Sequence, residues 1–286
     1  MEKSTVYFTD FRCKVGTSQL DKLKKLCIAA GIKDIDMDGK FVAIKMHFGE
    51  LGNLAFLRPN YAKVVADLCK ELGGMPFLTD CNTLYPGSRK NALEHMDCAN
   101  LNGFNTITTG CQIIIGDGLR GTDDVEVPVA NAEYCPTARI GRAVMDADVF
   151  ISLTHFKGHE ATGFGGAIKN IGMGCGSRAG KMAQHNSGKP VIETDLCHGE
   201  NDAPILPDIG MFASFDPIAL DQACVDACLA AEPIRNSQLG DNLAKPEWHC
   251  HHNHFMDSNP NVEWEATLDH GEKIGLGTRS YELKRI

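Results

Sequence analysis

No run in the sequence approaches the about 18 consecutive apolar residues that a membrane span needs, and the opening MEKSTVYFTDF lacks the apolar core of a secretory signal. The expectation is therefore a cytoplasmic protein with no membrane partner. Cations are in the minority: 28 Lys and Arg stand against 37 Asp and Glu, for a net charge of −9, and they form no stripe. Nucleic acid is not an expected partner, because phosphate backbones are held by clustered Lys and Arg. The glycine run at Gly163–Gly166 matches neither a Walker loop nor G-x-G-x-x-G, so it gives ordinary ATP or dinucleotide binding little support. No C-x2-C pair is found among the 12 cysteines, and no ferredoxin-type cluster is spelled out. Most of those cysteines lie in apolar patterns, as Cys27 and Cys69 do. They read as small hydrophobes in a reducing cytosol or an anaerobe.

What remains is an ordinary globular composition: 286 residues, 43% hydrophobic and 23% charged, enough for one large domain or two small ones. Val6–Phe8 reads as a first strand. Ser18 and Asp21 form a capping pair for a helix whose apolar face is Leu20, Leu23, Cys27 and Ala30. Phe41–Met46 is a second strand. Tyr61, Val64, Val65, Leu68, Cys69 and Leu72 then mark an amphipathic helix closed by Gly73 and Gly74. A strand at Met75–Thr79, a helix at Asn91–Leu101, strands near Gln112–Ile115 and Val125–Val129, and a helix at Ala138–Ala147 complete the first half. This alternation predicts an α/β fold of Rossmann-like βαβ units in mostly parallel sheets flanked by helices. Later, Ile209–Ser214 reads as a strand, and Asp216-Pro217 opens a helix with Asp as cap and Pro at the first position. From Asn259 onward periodic apolar residues are sparse, so an irregular C-terminal tail is expected. The expected division is a core of residues 1–235 and an extension, 236–286, packed on it.

Ligands of such sheets gather at the carboxyl ends of strands, which singles out His47, Asp80 and His155, each just past an apolar strand. Taken alone, His47 reads more readily as a turn residue. Asp80 stands better supported, because Asn82, Thr83 and Arg89 follow it closely. The densest chemistry lies between Asp148 and His185, where Val149–Leu153 runs into a turn rich in glycine and titratable side chains. Histidine moves protons near neutrality and ligates metals as a neutral base. A lysine at a glycine-rich helix start sits among backbone N–H groups that favour anions. Hence Gly163, Gly165 and Gly166, with Asn170, Arg178 and Lys181, are expected to receive an anionic molecule or a phosphate-bearing cofactor. Two cysteine-containing clusters have blander readings beside the metal one. Cys224 and Cys228 read more readily as packed apolar residues than as ligands. For His249, Cys250, His251, His252 and His254, surface use is as good a reading as a transition-metal site.

Three motifs support a family resemblance over residues 4 to about 230. They are H-F-K-G-H-x3-G-F-G-G-A-I-K-N-I-G-M-G-C, the upstream D-C-N-T-L-Y-x2-S-R, and the downstream D-A-P-I-x-P-D-I-G-M-x-A-S-x-D-P-I-A-L-D-Q-A. Together they resemble the domain-of-unknown-function family 362. Many of its members are iron–sulfur proteins with a ferredoxin-like insert carrying 4Fe–4S clusters. That insert is absent here, near residues 186–202, so clusters are expected only in relatives that retain it; an isolated Cys197 is no cluster site. A more distant resemblance is to the lactate racemase family, whose nickel is held by a nucleotide-derived pincer cofactor. That family has a His, a Lys ten residues on and a His sixteen beyond, the spacing of His159, Lys169 and His185. The resemblance implies His159 as acid/base, Lys169 as cofactor tether or carboxylate anchor, and His185 as metal ligand. His95 is matched more loosely as a second base, and His155 and His47 join His185 as candidate metal ligands.

Three readings stand on the sequence. The first is a protein that binds a metal ion, iron or nickel, or a metal-centred cofactor, for redox or proton-transfer chemistry on a small anionic molecule, with a ferredoxin-type electron partner. The second is a racemase-like nickel enzyme needing no external electrons. The third is a non-catalytic metal or cluster scaffold.

Overall fold

The computed structural model describes residues 3–185 and 203–286. In chain order, β1 (Ser4–Asp10) leads to α1 (Gln19–Ala29), then β2 (Phe41–Lys45), α2 (Pro59–Glu71), β3 (Met75–Asp80), α3 (Ala92–Leu101), the one-turn α4 (Thr106–Thr109) and β4 (Gln112–Ile115). Next come β5 (Asp124–Pro128), β6 (Thr137–Gly141), α5 (Arg142–Met145), β7 (Val149–Ser152), β8 (Lys157–His159), β9 (Gly163–Gly165), α6 (Ala167–Gly172) and α7 (Arg178–Gln184). The remaining elements are β10 (Gly210–Ala213), α8 (Pro217–Leu229), α9 (Gln238–Ala244), α10 (His254–Ser258), α11 (Trp264–Lys273) and β11 (Tyr281–Arg285). Among the described residues no helix is long and apolar enough to cross a membrane. The shortened junction expected at 186–202 lies outside the described residues.

The chain divides into two units, the first made of Met1–Ile32, Phe156–Ile168 and Asn201–Ile286, the second of Lys33–His155 and Lys169–Glu200. The α/β reading holds, with a four-stranded, all-parallel sheet of order β4-β3-β2-β7 at the centre of the second unit. Val42, Ala43 and Ile44 in β2 are all buried, so successive side chains on both faces are covered. That is the demand a parallel sheet makes, and it explains why these strands read as continuous apolar runs. Helix α2 begins on Pro59 at its first position and buries Ala62, Val65, Ala66, Leu68 and Cys69. It stops at Gly73, whose φ of +83° suits glycine.

One helix was expected where the structure has two different elements. Residues 138–147 split into strand β6 and the single turn α5, with β6 pairing antiparallel to β5. Thr137–Gly141 alternates exposed and partly covered positions, which is a period of two. A run this short is decided by its pairing partner rather than by apolar spacing.

In the first unit β1 pairs antiparallel with β10 and parallel with β11. The expected capping pair is present: Asp21 N–H donates to Ser18 Oγ at 3.1 Å and Ser18 N–H to Asp21 Oδ2 at 2.8 Å. Asp216 caps α8 as expected, accepting from the N–H groups of Ile218 and Ala219 at 2.9 and 3.0 Å. The C-terminal segment is more regular than its sparse apolar spacing predicts. It holds α9, α10, α11 and β11, and its Phe255, Val262, Trp264 and Leu268 form a core with Phe164, Ile218 and Val225. A few large side chains anchor these short helices, each burying enough surface to do so without a long periodic pattern.

Candidate functional site

The parallel pairing of β2 with β3 and β7 brings the carboxyl ends of three strands side by side in the second unit. Lys45 lies opposite Thr79 on one neighbour and Ser152 on the other. His47, Asp80 and His155 therefore follow adjacent strand ends along one sheet edge. At this edge the strands stop being apolar. Lys45, the last residue of β2, is 1% exposed, and its Nζ lies 3.0 Å from Asp80 Oδ1 and 2.7 Å from Asn170 Oδ1. Arg89 donates from Nη1 to Asp80 Oδ2 at 3.2 Å and from Nε to Glu50 Oε1 at 2.9 Å; its Nη2 also bonds Glu50. Glu50 also accepts from the Tyr85 hydroxyl at 2.6 Å and from the Ser88 hydroxyl at 3.1 Å. Burial opposes ionisation of both carboxyls. Nevertheless Lys45, His95 and Arg89 hold Asp80 well below the usual range, and Arg89 with Tyr85 holds Glu50 at about 2.

Around this network sit buried polar atoms with no hydrogen-bond partner: Thr79 Oγ1, Asn82 Oδ1, Asp117 Oδ2 and both ring nitrogens of His95. His95 is fully buried on α3, edge-on to Phe48, with Nε2 3.7 Å from Asp80 Oδ2. Asn82 is fixed by its backbone N–H and Nδ2, which donate to Asp117 Oδ1 at 2.9 and 2.8 Å. Desolvation raises the pKa of Asp117. His47 Nδ1 accepts the Gly49 N–H at 2.9 Å, which leaves the proton of the neutral ring on Nε2. Residue 47 is exposed, yet protein atoms crowd its ring. That desolvation, with the Arg89 charge second, pushes the imidazole pKa down; solvent access softens the drop without reversing it.

Of the predicted residues, the second unit gathers Asp80, Asn82, Thr83, Arg89, His95 and His47 around one strand edge. Thr83 closes the turn, its N–H donating to Arg89 O at 2.9 Å and its hydroxyl to Tyr85 O at 3.1 Å. Asn170 is a brace: its Nδ2 donates to Ser152 Oγ and Thr154 Oγ1, both at 2.9 Å, while its Oδ1 receives Lys45. Lys169 is half-buried on α6, and His185 is exposed just past α7. Lys181 turns inward to the Gly176 carbonyl, and burial lowers its pKa. Arg178 Nη1 reaches the Lys90 carbonyl at 3.4 Å.

His159 belongs to the first unit, on β8, and its Nδ1 accepts the N–H groups of Ala161 and Thr162 at 3.2 Å each. The glycine run lies in the first unit as well, directly before two backbone amides at the start of α6. The anion at these amides is the chain's own: Asp221 accepts from Ala167 N–H at 2.7 Å and Ile168 N–H at 2.8 Å. A Cβ on Gly166 would stand 2.3 Å from that carboxylate, and one on Gly163, where φ is +76°, 2.4 Å from Trp264 Cβ. These two glycines are required by close packing. Gly165 lies buried between them in β9.

Burial raises the pKa of Asp221 from 3.8 to about 6. Its contribution to stability is therefore full below about 4 and is lost as pH rises through 6. Asp221→Asn removes that titration. The stability difference between wild type and variant should change by about 2 kcal/mol between pH 4 and 7. Urea unfolding of both proteins across this range measures it. Losing one acceptor adds a constant offset, and parallel pH curves would refute the assignment.

Lys45, Glu50, Tyr85 and Asp117 were missed from the sequence. Lys45 and Asp117 carried the signal of a polar residue at or just beyond an apolar strand, in FVAIK and IIIGD. Among the described residues no three His, Cys, Asp or Glu side chains are grouped to hold a metal. His47 presents no free lone pair in its neutral form. The residues gathered at this strand edge therefore do not assemble the ligand set of the iron or nickel centre that the motifs led one to expect. Cys224 and Cys228 carry thiol pKa values raised by burial, and Cys228 packs against the core of the first unit, as the apolar reading requires.

The family described as "Domain of unknown function (DUF362)" matches residues 42–197. Among solved structures, the lactate racemase apoprotein from Thermoanaerobacterium thermosaccharolyticum is similar, with a TM-score of 0.43 and 15% identity. The match covers 64% of this chain and 41% of that one. No curated protein matches.

Proposed function

We propose that this chain, which belongs to the DUF362 family, holds a small anionic molecule at the carboxyl edge of its parallel sheet and moves a proton on it. One observation carries the reading: a buried Lys45–Asp80–Arg89–Glu50 network, bordered by buried polar atoms lacking hydrogen-bond partners, occupies the strand ends. Buried charges are a poor way to stabilise a core, and such clusters with perturbed pKa values collect at functional sites. His47 is the group that meets the ligand. With Nδ1 engaged by Gly49, its neutral imidazole donates an Nε2–H hydrogen bond to an anionic or carbonyl oxygen and keeps that proton. Lys45 and Arg89 supply a fixed positive background, and His95, beside Asp80, is the proton carrier.

The metal-centred form of this reading comes from the motif resemblance. It needs ligands that the described residues do not assemble, and no step here passes through a metal. The redox form, with iron–sulfur chemistry and a ferredoxin-type partner, rests on the same resemblance. Metal analysis and a visible spectrum of anaerobically purified protein separate the forms. Nickel with a long-wavelength band marks the racemase-like form, iron with sulfide the cluster form, and neither the metal-free form.

Thermal unfolding at low ionic strength, with lactate, acetate or inorganic phosphate added, tests the binding site. At least one of these anions is expected to raise Tm. That rise should be lost in His47→Gln, whose circular dichroism stays that of the wild type. No rise with any of the three, or an equal rise in the variant, would remove His47 from the proposal.

A further inference from the structure

The loop between α9 and α10, in the first unit, carries His249, Cys250, His251, His252 and Asn253, a group the proposed function does not use. Its shape is set by one buried carboxylate. Asp257, 1% exposed on α10, accepts the His251 N–H at 2.7 Å through Oδ1 and the Asn253 N–H at 3.1 Å through Oδ2. Wrapped around that carboxylate, the loop puts Cys250 Sγ 3.7 Å from His252 Nδ1 and 3.9 Å from Asp257 Oδ2. Cys250 and His252 are both exposed, and the rings of His249 and His251 stand edge to face at 4.9 Å.

Those separations have a chemical meaning. Around a tetrahedral zinc ion, with Zn–S about 2.3 Å and Zn–N about 2.0 Å, a sulfur and a nitrogen ligand stand roughly 3.6 Å apart. The Cys250–His252 pair is already at that bite, and Asp257 Oδ2 is a few tenths of an ångström wide of it. The next histidine in the chain also has a ring nitrogen to spare. His254 Nε2 lies 2.9 Å from the Ala231 carbonyl oxygen, which can only accept, so the ring proton is on Nε2. Its Nδ1 is left as a buried lone pair with no hydrogen-bond partner. An imidazole oriented by a backbone carbonyl is the arrangement found behind metal-ligating histidines.

We infer that this loop is a site for a thiophilic divalent metal ion of the zinc class, anchored by Cys250 Sγ and His252 Nδ1. Asp257 and an imidazole from His249, His251 or His254 complete the coordination. No three donors yet stand at ligand spacing among the described residues. Binding therefore draws the third donor in by a small loop movement, which exposed His249 and half-buried His251 permit. On binding, the Cys250 thiol gives up its proton to solvent and the thiolate supplies the bonding pair, so affinity rises with pH. Thiolate and imidazole together select zinc-class ions over calcium or magnesium.

The test uses the untagged full chain, stripped with a chelator and titrated anaerobically with Co(II) as a spectroscopic probe and then with Zn(II). One equivalent of Co(II) should produce a thiolate-to-cobalt charge-transfer band that one equivalent of Zn(II) abolishes. Cys250→Ser should lose the band and weaken Zn(II) binding by more than ~100-fold, the upper range for outer-sphere changes. His252→Gln should weaken it comparably while circular dichroism stays that of the wild type. Cys13→Ser, at another exposed thiol, should bind as the wild type does. A band that survives in Cys250→Ser, a band lost in Cys13→Ser, or cobalt bound without a thiolate band would each overturn the assignment.

Discussion

Lys45→Met should lower the unfolding free energy by about 3–5 kcal/mol, the cost of leaving one partner of a buried ion pair without the other. Methionine fills nearly the volume of the lysine stem, so little of the loss comes from a cavity. It comes from Asp80, which keeps only Arg89 at 3.2 Å and His95 at 3.7 Å, and from Asn170 Oδ1, which loses its donor. Asp80→Asn should be costly for the reverse reason, because it strands Lys45 and Arg89 in the same interior. The double variant is the discriminating measurement. If the two charges act as a pair, Lys45→Met with Asp80→Asn should recover at least about 1.5 kcal/mol over the sum of the single changes. Urea unfolding of the four proteins at neutral pH supplies the cycle. A single Lys45→Met change costing under about 1 kcal/mol would show that the network carries no such strain.

Gly174→Ala should be nearly as damaging, although it adds one methyl group. Its Cβ would stand 2.1 Å from the Asn170 carbonyl oxygen and 2.5 Å from Lys45 Nζ. The carbonyl belongs to the backbone and cannot swing aside, so Lys45 or the whole turn must shift. The expected loss is about 3 kcal/mol or more, the upper end for overpacking. Two residues earlier, Gly172 has nothing within 4 Å of its added Cβ and ends helix α6. Gly172→Ala should be neutral or stabilising by up to about 1 kcal/mol. Thermal unfolding of the two variants side by side checks both expectations, and equal effects would contradict the packing account.

These neighbouring glycines show how far the motif could be read. In N-I-G-M-G-C-G each Gly looks alike, and the glycines just upstream, Gly163, Gly165 and Gly166, suggested a ligand approaching the backbone. What approaches in the folded chain is protein: Lys45 and Asn170 at Gly174, Asp221 at Gly166, Trp264 at Gly163. Asp221 is 55 residues from Gly166 in the chain, and the local pattern around the glycines held no sign of it. Asp80, Asn82 and Arg89 were legible for the opposite reason. They follow an apolar strand directly, and the strand-end rule needs only local order plus a parallel sheet.

From the sequence alone came the α/β class, the parallel strands, the caps at Ser18 and Asp216, and the strand-end position of Asp80 and His47. All of these depend on residues a few positions apart, whose periodicity and hydrogen bonding act within one element. Tertiary structure decided that Lys45 is buried against Asp80, that Asp221 occupies the amides beside Gly166, and that residues 138–147 become a strand and a single turn. Each of those outcomes depends on which distant side chain or strand arrives. Burial then converts a partner several ångströms away into an energy large enough to override local preference.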